Sequence, residues 1–313
     1  MNEHIRHNRW WEHPSIQIIA VLALSRCIDF IAMALLGIFI PSRWSPTTDD
    51  TVSEFVGAVC DVAAVVSLQR LSGDLNLSRI GLTKKRFGVE TALGFLVGMA
   101  EYLLFMLFLM CANLYVVDKV NGHFPFAAAV LFALSISVGE EVIFRGFIFH
   151  KLEARYGTGL ALIVSSVIFG AYHIGGGTYG LHYLEAMTAG LPGGLLYASA
   201  YLVNRRLWIP IGAHFAWDFF ATIFWGWGWG DDNPSFVPLL MDLHLDLHKA
   251  PQSILMGGGL GLVESPISIG LDLSLAVLFL VIAVRRGQWK KRNINLRLVY
   301  RVDGNQGPHR GDG

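Results

Sequence analysis

Gly139-Glu140-Glu141-Val142-Ile143-Phe144-Arg145-Gly146 sets two adjacent acids and an arginine inside a stretch that otherwise reads as membrane-spanning. Charges at membrane depth are costly and by default mark function. An apolar bundle needs no carboxylate pair there in order to fold. The two glutamates therefore require partners, and two histidines further along the chain, His173 and His214, are candidates.

The composition around this stretch describes a multi-pass membrane protein: 313 residues, 53% hydrophobic and 15% charged, with a mean hydropathy of +0.49. A spanning helix needs about 20 mostly apolar residues. On that measure the sequence predicts an all-α polytopic bundle of about eight spans, near 15–40, 54–70, 89–117, 126–149, 159–174, 181–203, 208–226 and 266–284. Loop charge agrees with the count. With both termini cytoplasmic, the inner segments collect Arg70, Arg79, Lys84, Lys85, Arg86, Lys151, Arg155, Arg205, Arg206 and the basic run from Arg285, while the outer loops hold only Arg43, Lys119 and Lys249. The first apolar run has no small-residue cleavage site after it and reads as a retained helix. Net charge is zero, so nothing argues for nucleic acid as a partner. The basic clusters read as topology determinants that touch anionic lipid.

No internal repeat and no second soluble domain is found, so residues 1–313 read as one membrane domain. The Gly-rich polar stretch 303–313 reads as a disordered tail. Cys27, Cys60 and Cys111 are odd in number, lie in apolar spans and lack ligand spacing, which suggests buried thiols. Gly94 and Gly98 form a Gly-x-x-x-Gly helix-packing pattern. The Trp-Gly run 225–230 reads as an interfacial aromatic belt. Residues 242–248, with His244 and His248, read as a solvated or interface-lying loop.

Among the intramembrane charges, Arg26 and Asp29 are spaced i, i+3 and read as an internal ion pair. Asp61, Glu90, Glu101, Glu185 and Asp272 read as isolated acids. Three clusters remain. Helical spacing puts Glu141 and Arg145 on one face and turns Glu140 about 100° away, so Glu141 can pair with Arg145 and leave Glu140 facing a cavity. His173 ends a short apolar helix. His214 and Asp218 share a face at i, i+4. At about 1.5 Å per residue from the cytoplasmic ends, Glu140 and Asp218 lie near 15 Å, His214 near 10 Å and His173 near 20 Å. All four can meet at mid-membrane, with His173 fitting least well.

A carboxylate in a low-dielectric cavity is a strengthened base towards water. Glu140 could take a proton from a water that His173 shares. His214 could donate to an oxyanion, and Asp218 could orient His214 or donate itself when protonated. The reaction this suits is hydrolysis of a peptide bond in or beside the membrane.

Glu-Glu-x-x-x-Arg at 140–145, Phe-x-x-x-His at 169–173 and His-x-x-x-Asp at 214–218, in that order on three spans, resemble the motifs of the CAAX-protease and bacteriocin-processing (CPBP) family of intramembrane endopeptidases. Residues 191–197 and 207–214, and more loosely 257–265, resemble the family's connecting segments, and the resemblance covers about 127–226. It implies catalytic roles for Glu140, His173, His214 and Asp218, with Glu141 and Arg145 supporting. It also implies a membrane-associated peptide or lipidated protein as substrate, processed in CAAX or leader/bacteriocin fashion. The expected location is the bacterial inner membrane. Asp218 departs from the pattern, since an Asn often fills this place; an amide donates at any pH and a carboxyl only when protonated.

The family has been described as metallopeptidases, and Glu140, His173, His214 and Asp218 would form an N/O set for zinc. No His-Glu-x-x-His helix is present. If Glu140 ligated zinc, another base would be needed, and Glu141 is committed to Arg145. The reading is therefore a glutamate mechanism with no obligatory cofactor and zinc as the alternative. The competing classes are a proton-coupled carrier using the same groups as a relay, for which inverted-repeat halves are missing from the sequence, and a non-catalytic membrane adaptor.

Overall fold

The computed structural model describes residues 13–39, 46–73, 76–112, 115–120, 125–173, 183–225, 241–245 and 265–292. Eight helical segments stand in these stretches where spans are expected. They are α1 (Pro14–Phe39), α2 (Pro46–Leu71), α3 (Phe87–Cys111), α4 (Phe126–Glu141) continuing into α5 (His150–Tyr156), α6 (Thr158–Tyr172), α7 (Tyr183–Leu202), α8 (Trp208–Trp225) and α9 (Pro266–Arg285). Among the described residues, five are long and apolar enough to cross a membrane: Pro14–Ile38, Thr48–Leu71, Phe87–Cys111, Phe126–Tyr156 and Pro266–Arg285. Thr158–Tyr172 is apolar but shorter. The tail 303–313, Gly226–Gly230 of the Trp-Gly run and most of the loop 227–265 lie outside the described residues.

Local chemistry sets the helix ends. α9 starts at Ser265, whose hydroxyl accepts from the Ser268 N–H at 3.1 Å, and Pro266 follows at the position where its missing N–H costs nothing. The third helix stops at Cys111, short of the expected 117. Tyr115–Val120, rich in β-branched valine, instead forms strand β1, pairing antiparallel with β2 (Met241–Leu245), Val116 opposite His244. The fourth helix runs on past 149 to Tyr156 through a π-helical segment, Val142–Phe149.

The bundle is apolar on the outside as well as within. Phe30, Ile38, Leu93, Leu104, Leu107, Val277 and Leu278 are all at least half exposed, a surface suited to lipid. In the interior, α8 packs between α3 and α4, α2 lies on α4, and α7 lies between α6 and α9. Backbone contact seats α8. A Cβ on Gly94 would overlap the Ile209 carbonyl oxygen and one on Gly98 that of Ala213, while Gly212 abuts the Thr91 carbonyl. The Gly-x-x-x-Gly pattern thus packs α3 against the helix that holds His214 and Asp218. Gly98→Val is expected to destabilise the fold by about 1–3 kcal/mol or more, whereas Gly88→Ala, with nothing within 4 Å of the added methyl, stays within about 0.5 kcal/mol. Thermal unfolding in detergent checks both.

Of the acids read as isolated, Glu90, Asp61, Glu101 and Asp272 face groups on other helices, while the side chain of Glu185 lies outside the described residues. Glu90 on α3 takes a bidentate grip from Arg206, Nε to Oε2 at 2.7 Å, and this hydrogen bonding raises the guanidinium above its ordinary value. Asp61 accepts from Arg26 at 3.0 Å and from the Ser25 hydroxyl. Arg26 and Asp29 are 4.0 Å apart, so Asp61 is the closer partner. Glu101, buried on α3, has Asp272 on α9 as its electrostatic neighbour. The cysteines are free, but only Cys60 is buried, while Cys27 and Cys111 are exposed on their helices.

Candidate active site

Glu140 and Glu141 are the last residues of α4 before the π-helical segment, a backbone irregularity often found at functional sites. Close packing brings α2 up to them: a Cβ on Gly139 would lie 3.0 Å from both Ala58 Cα and Asp61 Oδ2.

Glu141 is fully buried, and its Oε1 accepts from two helices. Arg145 Nη1 donates to it at 2.7 Å and His214 Nδ1 at 3.0 Å. Arg145 is itself only 2% exposed. Its Nη2 donates to the carbonyls of Gly194 at 3.2 Å and Gly193 at 3.4 Å. Its guanidinium also lies over the Phe169 ring at 4.3 Å and the Tyr197 ring at 5.2 Å. The glycines of α7 make this reach possible, and they seat α7 on α6 as well, since a Cβ on Gly194 would come 2.9 Å from Ser166 Cα.

His214 is therefore fixed at one nitrogen. Its Nδ1–H goes to the ion-paired Glu141, and Tyr197 stacks on its ring at 4.4 Å and 13°. Nε2 then faces Glu140 Oε2 at 3.8 Å and Asp218 Oδ2 at 3.4 Å. His173, at the C-terminal end of α6, is fixed in the same way. Its Nδ1–H donates to the Phe169 carbonyl at 2.8 Å, leaving Nε2 to face Glu140 Oε1 at 3.9 Å. The depth mismatch expected for His173 does not keep it from the cluster.

Side-chain exposure is 4% for Asp218, 6% for His214, 13% for Glu140 and 40% for His173, so the group opens at His173. Glu140 Oε2 and Asp218 Oδ2 are buried without a hydrogen-bond partner. Among the described residues only histidines lie within ion-pair distance of these two carboxylates. The spacing of Glu141 with Arg145 and of His214 with Asp218 is as the sequence suggests. The bond from His214 to Glu141 and the stacking by Tyr197 were not anticipated. Both join residues far apart in the chain, and the only sequence signal was that Tyr197 ends the Gly-containing run 191–197.

Both imidazoles hold an acceptor at Nδ1 and turn Nε2 towards carboxylates with unpartnered oxygens. That donor chemistry suits zinc. Among the described residues, however, no three His, Cys, Asp or Glu side chains already stand together as a metal cluster.

Comparison with known proteins points to the same stretch. Residues 122–220 match the family model described as type II CAAX prenyl endopeptidase Rce1-like. A Bacillus subtilis (strain 168) protein named "Putative membrane peptidase YdiL" is 35% identical over 100 residues, which cover 31% of this chain and 38% of that protein. The chain thus spans about two fifths of the length of the curated relative it matches. No solved structure matches the chain.

Proposed function

We propose, from the premise that residues 122–220 carry a CPBP-type core, that the protein is an intramembrane endopeptidase cutting a membrane-associated peptide or protein, and that Glu140 activates the water. The observation that carries this reading is the meeting of Glu140, from α4, with His173 from α6 and with His214 and Asp218 from α8, while Glu141 is held by Arg145.

The geometry supports separate roles. Groups 3.9 Å apart, as Glu140 Oε1 and His173 Nε2 are, can both reach one water at about 2.8 Å. Glu140 takes the proton as the water oxygen attacks the carbonyl carbon, and returns it to the leaving amine. On the other side, His214 Nε2 and Asp218 Oδ2 face each other at 3.4 Å. With His214 Nδ1–H already given to Glu141, a proton carried on Nε2 or on Asp218 Oδ2, and turned to the substrate, would be the donor for the oxyanion. One such donor is worth about 10²–10³ in rate. Tyr197 and Glu141 hold the His214 ring in place for that contact.

If zinc binds, Glu140, His173, His214 and Asp218 would hold it, and it would polarise the carbonyl and acidify bound water. That assignment takes Glu140 away from the proton and leaves no free base, because Glu141 is committed to Arg145 and His214. The metal-free assignment needs no residue in two roles. The substrate on this reading is a lipidated CAAX-type or a leader-type peptide, and the location is the bacterial inner membrane with both chain ends inside.

The test is cleavage of a quenched-peptide panel, prenylated and unprenylated, by detergent-purified protein. Activity that is lost in Glu140→Ala and unaffected by a strong chelator is expected. Chelator loss restored by zinc would move the four side chains into a metal site, and cleavage unchanged in Glu140→Ala would overturn the mechanism.

A further inference from the structure

The two imidazoles of the site are held in unequal ways. His214 is 6% exposed, gives its Nδ1–H to the buried Glu141 and has the Tyr197 ring stacked on its face. His173 is 40% exposed, and its Nδ1–H goes to a carbonyl one turn back on its own helix, that of Phe169. A hydrogen bond at Nδ1 fixes the tautomer. It does not stop the ring from pivoting about that bond, and a pivot carries Nε2 away from Glu140.

The side chain of Phe169 supplies a second restraint. Its ring lies against the His173 imidazole, with centroids 4.6 Å apart and planes at 57°, the contact that i, i+4 spacing brings about. The Phe169 ring is itself pinned. It is 4% exposed, the Phe144 ring meets it at 4.9 Å and 88°, and the Arg145 guanidinium lies over it at 4.3 Å. The same ring stands 6.3 Å from that of His214. Arg145 therefore has two dependants. Through Glu141 Oε1, which it holds at 2.7 Å, it steadies the acceptor of the His214 Nδ1–H. Through the Phe169 ring it steadies the surface on which His173 rests.

We propose that Phe169 is a positioning residue: its carbonyl and its ring together aim His173 Nε2 at the water beside Glu140, and Arg145 fixes that ring as it fixes Glu141. The inference rests on the endopeptidase reading for the water, but not for the orientation of His173. A ring that is 4% exposed offers the substrate little contact, so its loss falls on turnover rather than on binding. Leucine at 169 keeps an apolar side chain and the backbone carbonyl, so the Nδ1 hydrogen bond stays while the flat ring is lost. Displacement of a reacting group by about 1 Å costs on the order of 10²-fold in rate.

The experiment reads orientation and turnover separately. The full chain, isotope-labelled at its histidine nitrogens, is reconstituted in lipid bilayers, and solid-state NMR at a pH where the imidazoles are neutral reports the tautomer and mobility of each ring. The signals of His173 and His214 are assigned by their loss in His173→Gln and His214→Gln. In the wild type His173 is expected as a single, immobile Nδ1–H tautomer. In Phe169→Leu its signal is expected to become mobile or mixed while that of His214 stays as in the wild type. On a quenched peptide the same variant is expected to lose at least tenfold in kcat with KM within threefold. His173 unchanged in Phe169→Leu, or His173 and His214 loosened together, would reduce Phe169 to ordinary packing and overturn the proposal. A wild-type His173 that is already mobile or mixed would overturn it without any variant, so a Phe169→Leu chain that fails to fold does not remove the test. The spectra need no substrate. A wild type that cuts no peptide would count against the endopeptidase reading and leave the orientation of His173 to be judged on its own signal.

Discussion

Arg145→Met is expected to destabilise the fold by about 3–5 kcal/mol, the range for removing one partner of a buried ion pair. The arginine is 2% exposed and Glu141 not at all. Methionine keeps the apolar stem of the side chain but not the guanidinium, so the loss is that of the charge with its hydrogen bonds and ring contacts. It strips from Glu141 Oε1 its 2.7 Å partner and abandons the carbonyls of Gly193 and Gly194. The ring contacts to Phe169 and Tyr197 lose their cation as well. The Glu141 carboxylate then stands in an apolar interior with only the His214 Nδ1–H. Pairing the change with Glu141→Gln removes the orphaned charge and is expected to restore most of the stability, because an uncharged amide beside methionine needs no counter-ion. Denaturant or thermal unfolding in detergent measures both. An Arg145→Met protein as stable as the wild type would mean that the pair is not what joins α4 to α7 and α8.

The same residues show which parts of the site can be read from a sequence. Glu141 with Arg145 and His214 with Asp218 are legible because a helix repeats every 3.6 residues, so i, i+4 neighbours share a face whatever surrounds them. The convergence of the four groups is legible because rise per residue places each of them at a comparable height along its helix. Neither rule reaches across helices. The bond from His214 to Glu141 spans 73 positions and that from Arg206 to Glu90 spans 116, and both depend on how α3, α4 and α8 are seated. For the same reason Asp61 looked isolated, since its partner Arg26 lies 35 residues away on another helix. The π-helical segment after Glu141 has no signature in a pattern of uniformly apolar residues, and β1 pairs with β2 across more than a hundred positions.

Glu140→Gln is expected to separate activity from stability. Cleavage of any peptide that the wild type cuts should fall by about 10²–10⁴, the usual worth of a positioned general base, because an amide has no basic oxygen to take a proton from water. The fold should not suffer. Unlike Glu141, Glu140 has no arginine or lysine within ion-pair distance among the described residues, its histidine contacts are 3.8 and 3.9 Å long, and its Oε2 is buried without a partner. Removing such a charge relieves a desolvation cost, so the melting temperature should hold or rise, as it does when residues kept for chemistry at the expense of stability are replaced. A structural glutamate would behave in the opposite way, losing stability first and activity only as a consequence. The deciding comparison is the unfolding midpoint against kcat/KM for wild type and Glu140→Gln in one detergent. A fall in both together would place Glu140 with Glu141 and Arg145 in the framework, and retained cleavage would remove it from the chemistry. A steep loss of kcat/KM at an undiminished midpoint is the result required of a carboxylate that three helices converge on without neutralising.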